Sequence, residues 1–396
     1  MAKERATKHR HSKTFLKVEL RFSIPASMKA PKNIRSALGE KEAMRYSNNS
    51  ARARIARGVA AGLFAASAIV MVGATPSQAA PIDVKWATGP IGSSGGKALV
   101  VLAGILNKAM PKYHIDVLPT PGAVTTVKGF ALGTYDGYYG SDVAMKEYAA
   151  NNGRFKGFRS HVKVTPVQSL WCYTLDVGLA IKASDAKTIK SWKDLTGKQV
   201  YTGPLPFDTR KHLEAAMHAV GVHHIYKQVD LSTVGSQLKS GSIKGMIIYA
   251  AGGRTPPPWI AEASLAVNWI PLNPTPAEVA TLKKDGFAVE QVPGSNFHKT
   301  KVKEVTLLPF YWGFDVGSKY STDDMVKMLN VVEKHADELA KLDPSFRQIA
   351  NGNMAQFEHD ALESTYKLVP IHPGLAKWLK EKGKWDSKWD SHIAKL

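Results

Sequence analysis

The residues best suited to chemistry form a Gly/Ser-rich turn, GPIGSSGG at positions 89–96. The turn follows an apolar strand predicted over residues 82–87 and precedes an amphipathic helix predicted to begin near Lys97. The first N–H groups of a helix have no partner within the helix, so such a turn can hold an anion, although it can also be a purely structural connection. From this turn we predict ligand contacts by Thr88, Ser93, Ser94, Gly95 and Gly96.

The same arrangement recurs later in the chain, where a predicted strand at 199–202 leads through a turn into a helix at 209–220. Arg210 could pair with a carboxylate through two parallel hydrogen bonds, or it could be a solvated residue of the first helical turn. Gly122 also stands shortly before a helix predicted at 125–132, and Gly252 stands shortly after a strand predicted at 244–249. These segments add the following predicted contacts: Gly122, Ala123, Val124, Gly203, Thr209, Arg210 and Gly252.

The first turn also satisfies the G-x-S-x-G pattern of α/β-hydrolases, with Ser94 as the nucleophile. An acid, Asp315 or Asp343, and then His372 follow in the required order. An elbow strand normally lies deep in a sheet that earlier strands have built, whereas here it would be the first strand of the exported protein. A secreted hydrolase is therefore the alternative to a binding protein, and we predict no catalytic residue.

Other cofactor sites have no support in the sequence. The turn lacks the Ser/Thr of a Walker loop, because Ala98 follows Lys97, and it does not match G-x-G-x-x-G. No H-E-x-x-H pattern occurs among the thirteen histidines. Cys172 is the only cysteine, so an intrachain disulfide and a thiolate metal site are both excluded. We predict neither metal nor cofactor, and a buried structural role for Cys172.

The net charge of +20 comes partly from the N-terminal segment, since residues 1–57 carry 15 basic and 4 acidic residues. Residues 58–396 carry 38 basic and 29 acidic residues. This mild excess suits an anionic ligand, although a solvated basic surface produces the same balance. No basic stripe interleaved with aromatic residues is present, so we predict no nucleic-acid partner.

Residues 1–79 have the pattern of a leader with an export signal. Arg52, Arg54 and Arg57 precede an uncharged apolar stretch at 58–74, and a small-x-small cleavage site ends at Ala79. A retained membrane anchor is the alternative. Because Met44 would begin an ordinary signal peptide, we expect it to be the functional start. The exported protein would be periplasmic.

The remaining chain alternates strand-like and helix-like segments, which indicates an α/β fold with mostly parallel sheets. Residues 162–180 are predicted to hold two strands, 229–231 another strand, and 322–342 one long helix. A strand at 305–316 returns towards the beginning of the chain. We therefore predict two lobes with a hinge between them, lobe I from residues 80–185 and 303–396 and lobe II from residues 186–302.

Several segments in order resemble the solute receptors of TRAP transporters, specifically the TAXI family. The resemblance begins with the opening strand and its turn. It continues through six further segments, which are PTPGAV at 119–124, residues 133–142, Tyr148 with Phe155, LTGKQV at 195–200, residues 241–252, and PIHPG at 370–374. It implies a two-lobed fold like that of type II periplasmic binding proteins and a monomer without enzymatic activity. It also implies that a small solute, often a carboxylate, is handed to a TRAP-type membrane permease.

This sequence departs from the family pattern in ways that leave the ligand open. Lys97 stands where an aromatic residue is common, and Pro121 and Ala123 replace a small or hydroxyl-bearing pair. Lys244 and Gly245 stand where an acidic residue and alanine are usual. The resemblance therefore carries the fold further than it carries the identity of the solute.

Overall fold

The computed structural model describes residues 80–297 and 302–396. The leader, the cleavage site after Ala79 and the proposed start at Met44 lie outside the described residues. All described residues belong to one compact unit. Within them, no helix combines the length and the apolar character needed to cross a bilayer.

Ten strands of the described chain form one sheet, with helices packed around it, which confirms the predicted α/β class. The strand order is β2-β1-β3-β10-β4-β7-β5-β6, while β8 pairs with β4 and β9 pairs with β10. The bounds are β1 Ile82–Thr88, β2 Tyr113–Pro119, β3 Gly137–Ser141, β4 Trp171–Lys182, β5 Gln199–Tyr201, β6 Ile225–Tyr226, β7 Gly245–Ala251, β8 Trp269–Pro271, β9 Glu290–Pro293 and β10 Glu304–Val316.

The helices connect and cover these strands. Their bounds are α1 Ser94–Ala109, α2 Ala123–Ala131, α3 Asp142–Ala149, α4 Asp208–Ala219, α5 Val234–Ser240, α6 Pro258–Ala266, α7 Pro276–Lys284, α8 Thr322–Lys334, α9 Ala336–Leu342, α10 Met354–Thr365 and α11 Pro373–Glu381. Short 3₁₀ turns lie at Gly153–Phe155, Phe158–His161, Ala183–Lys187, Trp192–Leu195, Leu231–Thr233, Gly294–Asn296, Pro344–Gln348 and Ser387–His392.

Parallel pairing is confined to the two sides of the sheet. We call β1, β2 and β3 with α1 to α3 the first flank, and β5, β6 and β7 with α4 to α7 the second flank. Within each flank the neighbouring strands are parallel, as the alternating pattern predicts. The long strands β4 and β10 run between the flanks and pair antiparallel with each other and with β7 and β3. The sheet therefore mixes both kinds of pairing.

One strand, and not two, occupies the region 162–180. Pro166 has no N–H to give to a strand ladder, and the N–H groups of Lys163 and Val164 both donate to the carbonyl of Ala131. The chain enters the sheet only at Trp171 and then continues without a break to Lys182. The apolar composition of this region predicts burial correctly but not the number of strands.

Two further predicted elements are wrong. The second-flank edge strand is Ile225–Tyr226, which pairs with β5, whereas residues 231–233 form a 3₁₀ turn. The helix predicted over 322–342 is divided at His335 into α8 and α9. Apolar spacing does not reveal this break, because both pieces keep a buried face.

The parallel strands of the first flank bring two helix starts to one edge of the sheet. The N–H and the hydroxyl of Thr120 both donate to the carbonyl of Thr88, at 2.9 Å each, which ties the ends of β1 and β2 together. Because helices follow parallel strands at their carboxyl ends, α1 and α2 begin side by side. The same rule places the start of α4 at the end of β5 in the second flank.

Candidate functional site

A cavity lies where α1, α2 and α4 begin, and both flanks contribute to its walls. The space open to the centre of a water-sized sphere is about 30 Å³, which is room for about two water molecules. The cavity is therefore narrow in this conformation. Its lining residues are Gly89, Pro90, Ser93, Ser94, Gly95, Gly122, Ala123, Tyr139, Leu175, Phe207, Asp208, Thr209, Tyr249 and Trp312.

The N-terminus of α1 forms one wall. Ser93 caps this helix: its hydroxyl accepts a hydrogen bond from Gly96 N–H at 3.1 Å and donates to the Pro90 carbonyl at 2.6 Å. The hydroxyl of Ser93 is thus occupied in holding the turn. The next N–H groups, those of Ser94 and Gly95, have no acceptor within the helix and lie at the cavity.

The two adjacent glycines of this turn permit close contacts. A Cβ atom on Gly95 would lie 2.3 Å from the ring of Tyr139, and one on Gly96 would lie 2.3 Å from the Pro90 carbonyl oxygen. Gly95 therefore lets an aromatic ring pack directly against the helix start. Gly96 does not line the cavity, and its lack of a side chain allows the turn to fold back.

The N-terminus of α2 forms a second wall. The N–H groups of Thr125 and Thr126 both donate to the carbonyl of Gly122, so the first free N–H groups belong to the residues just after Gly122. A Cβ atom on Gly122 would lie 3.4 Å from the carbonyl oxygen of Pro206 in the second flank. The start of α2 is thus in close contact with the loop that leads into α4.

The N-terminus of α4 forms the opposite wall. Thr209, in the first turn of this helix, is only 2% exposed, and its hydroxyl has no hydrogen-bond partner among the described residues. A buried hydroxyl without a partner is costly, because burial removes it from water and nothing replaces the lost hydrogen bond. Thr209 is therefore ready to bond a group inside the cavity.

Asp208, the residue before Thr209, is held from the first flank. One of its carboxylate oxygens accepts a hydrogen bond from the hydroxyl of Ser141 at 2.5 Å, and the other pairs with the guanidinium of Arg154. Arg154 also pairs with Glu147 and contacts the carbonyl of Pro206. Both oxygens of Asp208 are thus engaged outside the cavity.

Aromatic rings form the remaining walls. Tyr139 stacks on Trp312 with 4.3 Å between ring centroids and 23° between planes, and its hydroxyl lies 2.8 Å from that of Tyr173. Burial raises the pKa of Tyr139 well above its ordinary value, and it raises the pKa of Tyr249 to about 12. The indole N–H of Trp312 is buried and has no partner in the described part of the chain. The rings thus add the free indole N–H of Trp312 and no charge.

The positive electrostatic potential of the cavity comes from the backbone. None of its lining residues is Lys, Arg or His. Three helix N-termini meet there, and each presents partial positive charge and unpaired N–H groups. With the free donors of Thr209 and Trp312, the cavity offers hydrogen bonds to an anion from both flanks.

Half of the residues predicted as ligand contacts line this cavity. They are Ser93, Ser94, Gly95, Gly122, Ala123 and Thr209. The other six, which do not line it, are Thr88, Gly96, Val124, Gly203, Arg210 and Gly252. The sequence analysis did not select Phe207, which directly precedes α4. It also did not select Leu175, Tyr249 and Trp312, which only the pairing of distant strands brings to the cavity. Apolar residues inside strands give no signal that separates a cavity wall from the core.

Arg210 lies outside the cavity. Its Nε is 2.9 Å from a carboxylate oxygen of Glu214, one helical turn away, and its guanidinium lies 3.9 Å from the centre of the Tyr226 ring. These partners all belong to the second flank. The expected bidentate contact of Arg210 with a ligand has no counterpart in this arrangement.

Gly252 lines a different and larger cleft of about 910 Å³ on another side of the molecule. There its φ is +55°, and an added Cβ atom would lie 3.2 Å from the side chain of Gln348. Gly252 therefore serves a tight turn after β7. It does not meet the other predicted contact residues.

The hydrolase constellation is not assembled. Ser94 lines the cavity, but His372 is fully buried elsewhere: its Nδ1 accepts from Gly374 N–H at 3.0 Å, and its Nε2 lies 3.3 Å from the Tyr320 carbonyl. Burial lowers the pKa of His372 to about 4. With both ring nitrogens engaged by the backbone, His372 cannot serve as the base for Ser94.

The candidate acids are engaged as well. The carboxylate of Asp315 accepts from Ser169 N–H at 2.6 Å and from Leu170 N–H at 3.2 Å, and Asp343 accepts from Ser345 N–H at 2.9 Å. Neither acid lines the cavity. Among the described residues no group of three metal-ligating side chains occurs, and Cys172 is buried and free, as expected.

A comparison with models of known protein families identifies one match. A family model described as the NMT1-like family matches residues 87–383, about three quarters of the chain. The matched segment includes every residue that lines the cavity. The sequence matches no curated protein.

Among solved structures, the chain is similar to the periplasmic aliphatic sulphonate binding protein SsuA from Escherichia coli, with 14% identity, a TM-score of 0.41, and coverage of 80% of this chain and 95% of that one. It is also similar to a TRAP periplasmic solute binding protein from Shewanella oneidensis with bound succinate, with 14% identity, a TM-score of 0.39, and coverage of 80% and 96%. A third similarity is to a TRAP periplasmic solute binding protein from Pseudomonas aeruginosa with bound L-malate, with 11% identity, a TM-score of 0.38, and coverage of 73% and 99%. These solved structures are periplasmic binding proteins, and the likeness is distant.

Proposed function

The chain belongs to the NMT1-like family, and from this premise we propose that it is an extracytoplasmic receptor for a small anionic solute, a carboxylate. The cavity between the flanks binds the solute. The loaded receptor delivers it to a membrane permease of the TRAP type, the partner implied by the resemblance to TAXI receptors. The protein is exported to the periplasm, acts as a monomer and catalyses no reaction.

One observation carries this proposal: three helix N-termini meet at one cavity together with two buried donors that have no partner within the described chain. The donors are the hydroxyl of Thr209 and the indole N–H of Trp312. An anion placed between them would accept hydrogen bonds from both, and from backbone N–H groups of α1 and α2. The same atoms that fail to find a protein partner would be satisfied by one ligand.

The two flanks would act as lobes that close over the solute. Residues 80–185 with 303–396 form lobe I in this proposal, and residues 186–302 form lobe II. The connections between the lobes, near residues 185 and 303, serve as the hinge. Because the ligand contacts α1 and α2 on one side and α4 on the other, its binding energy would favour the closed arrangement. In this conformation the cavity has room for about two water molecules, so the lobes must open further to admit the solute.

Binding is tested by isothermal titration of the exported protein, residues 80–396, with a panel of monocarboxylates, dicarboxylates, 2-oxo acids and amino acids. We expect at least one carboxylate to bind with one site per chain and to raise the melting temperature. Thr209→Val, which removes a lining hydroxyl, should weaken this binding. Its matched control is Thr281→Val, which removes a hydroxyl on α7 that does not line the cavity. If no compound binds and none shifts the melting temperature, the receptor function is wrong.

Export and delivery need separate tests. Cell fractionation of the natural host should find the protein in the periplasm with its N-terminus at Ala80. A protein that remains in the membrane fraction would favour the retained anchor. Uptake of the bound solute should fall when a TRAP-type permease of the same host is deleted, while binding by the purified receptor stays unchanged.

A further inference from the structure

The walls of the cavity restrict the solute beyond its charge. We propose that the solute is a monoanion with a flat, apolar body, of the class of aromatic or α,β-unsaturated monocarboxylates. This inference rests on the proposed receptor function. It differs from the dicarboxylates and acidic amino acids that the family resemblance favours.

The cavity can neutralise only one negative charge. Its positive potential comes from the starts of α1, α2 and α4, which converge on one region, and no lining residue carries a cationic side chain. A second carboxylate on the ligand would be buried without a counter-charge, which is strongly unfavourable. Dicarboxylates should therefore bind poorly.

The cavity also lacks a free carboxylate to pair with an ammonium group. Asp208 is the only acidic residue in the lining, and its two oxygens are engaged by Ser141 and Arg154. The hydroxyl of Ser93 is engaged by Gly96 N–H and the Pro90 carbonyl. An amino acid would thus bury its ammonium group without a counter-charge. Zwitterions should be rejected as well.

The apolar part of the cavity is aromatic and is built from both flanks. Tyr139 and Trp312 form a stacked pair on β3 and β10, while Phe207 and Tyr249 reach the cavity from the second flank. Rings that close from two sides leave a slot, and a slot accepts a flat group better than a bulky one. Stacking with aromatic rings adds to the apolar burial of a planar ligand.

The glycine in the first turn joins the slot to the anion site. Because Gly95 has no side chain, the ring of Tyr139 lies directly against the start of α1, in space that a Cβ atom would otherwise fill. The flat wall and the free N–H groups are therefore adjacent. A carboxylate conjugated to a planar body can meet both at once.

Two matched pairs of ligands test planarity at constant charge. Crotonate and butyrate have the same chain length, and benzoate and cyclohexanecarboxylate have the same ring size. Titration of residues 80–396 should show that the flat member of at least one pair binds about tenfold more tightly than its saturated partner, a difference in the range expected for aromatic contacts. Succinate, glutamate and neutral benzamide should each bind about a hundredfold more weakly than the best flat monoanion, because each lacks at least one of the required features.

Variants separate the two parts of the site. Trp312→Leu should remove the preference for the flat member of each pair, whereas Thr209→Val should weaken both members to the same extent. The control is Trp385→Leu, since Trp385 lies near the C-terminus and does not line the cavity. Thermal unfolding of each variant confirms that it is folded. A Trp312→Leu variant that keeps the full preference would overturn the role of the aromatic slot.

The outcomes distinguish this inference from the receptor function. If succinate or glutamate binds more tightly than every flat monoanion, the inference is wrong and the receptor function stands. If saturated and flat partners bind equally, the inference is also wrong. If no member of the panel binds at all, both the receptor function and the inference fail.

Discussion

The hydroxyl of Ser141 lies 2.5 Å from a carboxylate oxygen of Asp208, and this contact joins the first flank to the second beside the cavity. Ser141 caps α3, while Asp208 begins α4. The guanidinium of Arg154 strengthens the contact from the first flank. Buried polar groups thus hold the two flanks together beside the cavity.

Asp208→Asn should loosen this contact. The amide keeps one oxygen but loses the charge that balances Arg154, so we expect a loss of about 1–3 kcal/mol in the free energy of unfolding, since Arg154 keeps Glu147 as a partner. The control is Asp323→Asn, which removes an acid from an ion pair whose carboxylate is 85% exposed and should change stability by less than about 0.5 kcal/mol. Denaturant titrations of both variants measure the difference. Equal stability of Asp208→Asn and wild type would show that the contact of Asp208 with Ser141 and Arg154 does not stabilise the fold.

Gly95→Ala should disturb both stability and binding. Its new Cβ atom would lie 2.3 Å from the ring of Tyr139, whereas a Cβ atom on Gly92, in the same turn, would meet nothing within 4 Å. We expect Gly95→Ala to lower the free energy of unfolding by about 1–3 kcal/mol, the usual effect of overpacking. Gly92→Ala is the matched control and should be neutral. Similar effects of the two substitutions would show that the packing of Tyr139 is not the cause.

Substitutions of the neighbouring residues Thr209 and Arg210 should have different effects on solute affinity. Thr209→Val should weaken solute binding by about 1.5–3 kcal/mol in free energy, the range for a hydrogen bond to a charged group. Arg210→Ala should leave the solute affinity unchanged, because the guanidinium pairs with Glu214 and Tyr226. Isothermal titration of both variants with the same ligand measures this. A large loss of affinity in Arg210→Ala would show that Arg210 contacts the solute.

How much of this arrangement could be predicted depends on how local each feature is. The turn at residues 89–96 and the start of α2 are recognisable because glycine and hydroxyl residues stand between a strand and a helix, and the structure places Ser94, Gly95 and Ala123 at the cavity. Trp312 and Leu175 could not be found in this way. Their positions depend on the antiparallel register of β4 and β10, which pairs residues more than a hundred positions apart.

Arg210 is a predicted contact residue that does not line the cavity. Its position in the first turn of α4 was correctly predicted, but helical periodicity also places Glu214 one turn away on the same face. The guanidinium of Arg210 is paired with the carboxylate of Glu214 in this structure. Charge type alone therefore suggested a ligand contact that the neighbouring acid removes.

The last prediction concerns Asp315, whose carboxyl lies fully buried in β10. Burial raises its pKa from 3.8 to about 7, although the N–H groups of Ser169 and Leu170 donate to it. Between these two pH values the unfolded chain releases a proton that the folded protein keeps, so rising pH favours unfolding. Stability from this group is therefore greatest below about pH 4 and declines until about pH 7, above which it is constant.

Asp315→Asn should remove that decline. The amide keeps an oxygen for the two backbone N–H groups and has no charge to bury, so the variant should exceed wild type at pH 8 by at most about 4 kcal/mol, since one pKa unit corresponds to ~1.4 kcal/mol. At pH 4 the two proteins should have nearly equal free energies of unfolding, because both side chains are then neutral. Denaturant titrations at a series of pH values measure the difference between variant and wild type. A difference that does not grow between pH 4 and pH 7 would mean that Asp315 is ionised in the folded protein throughout this range.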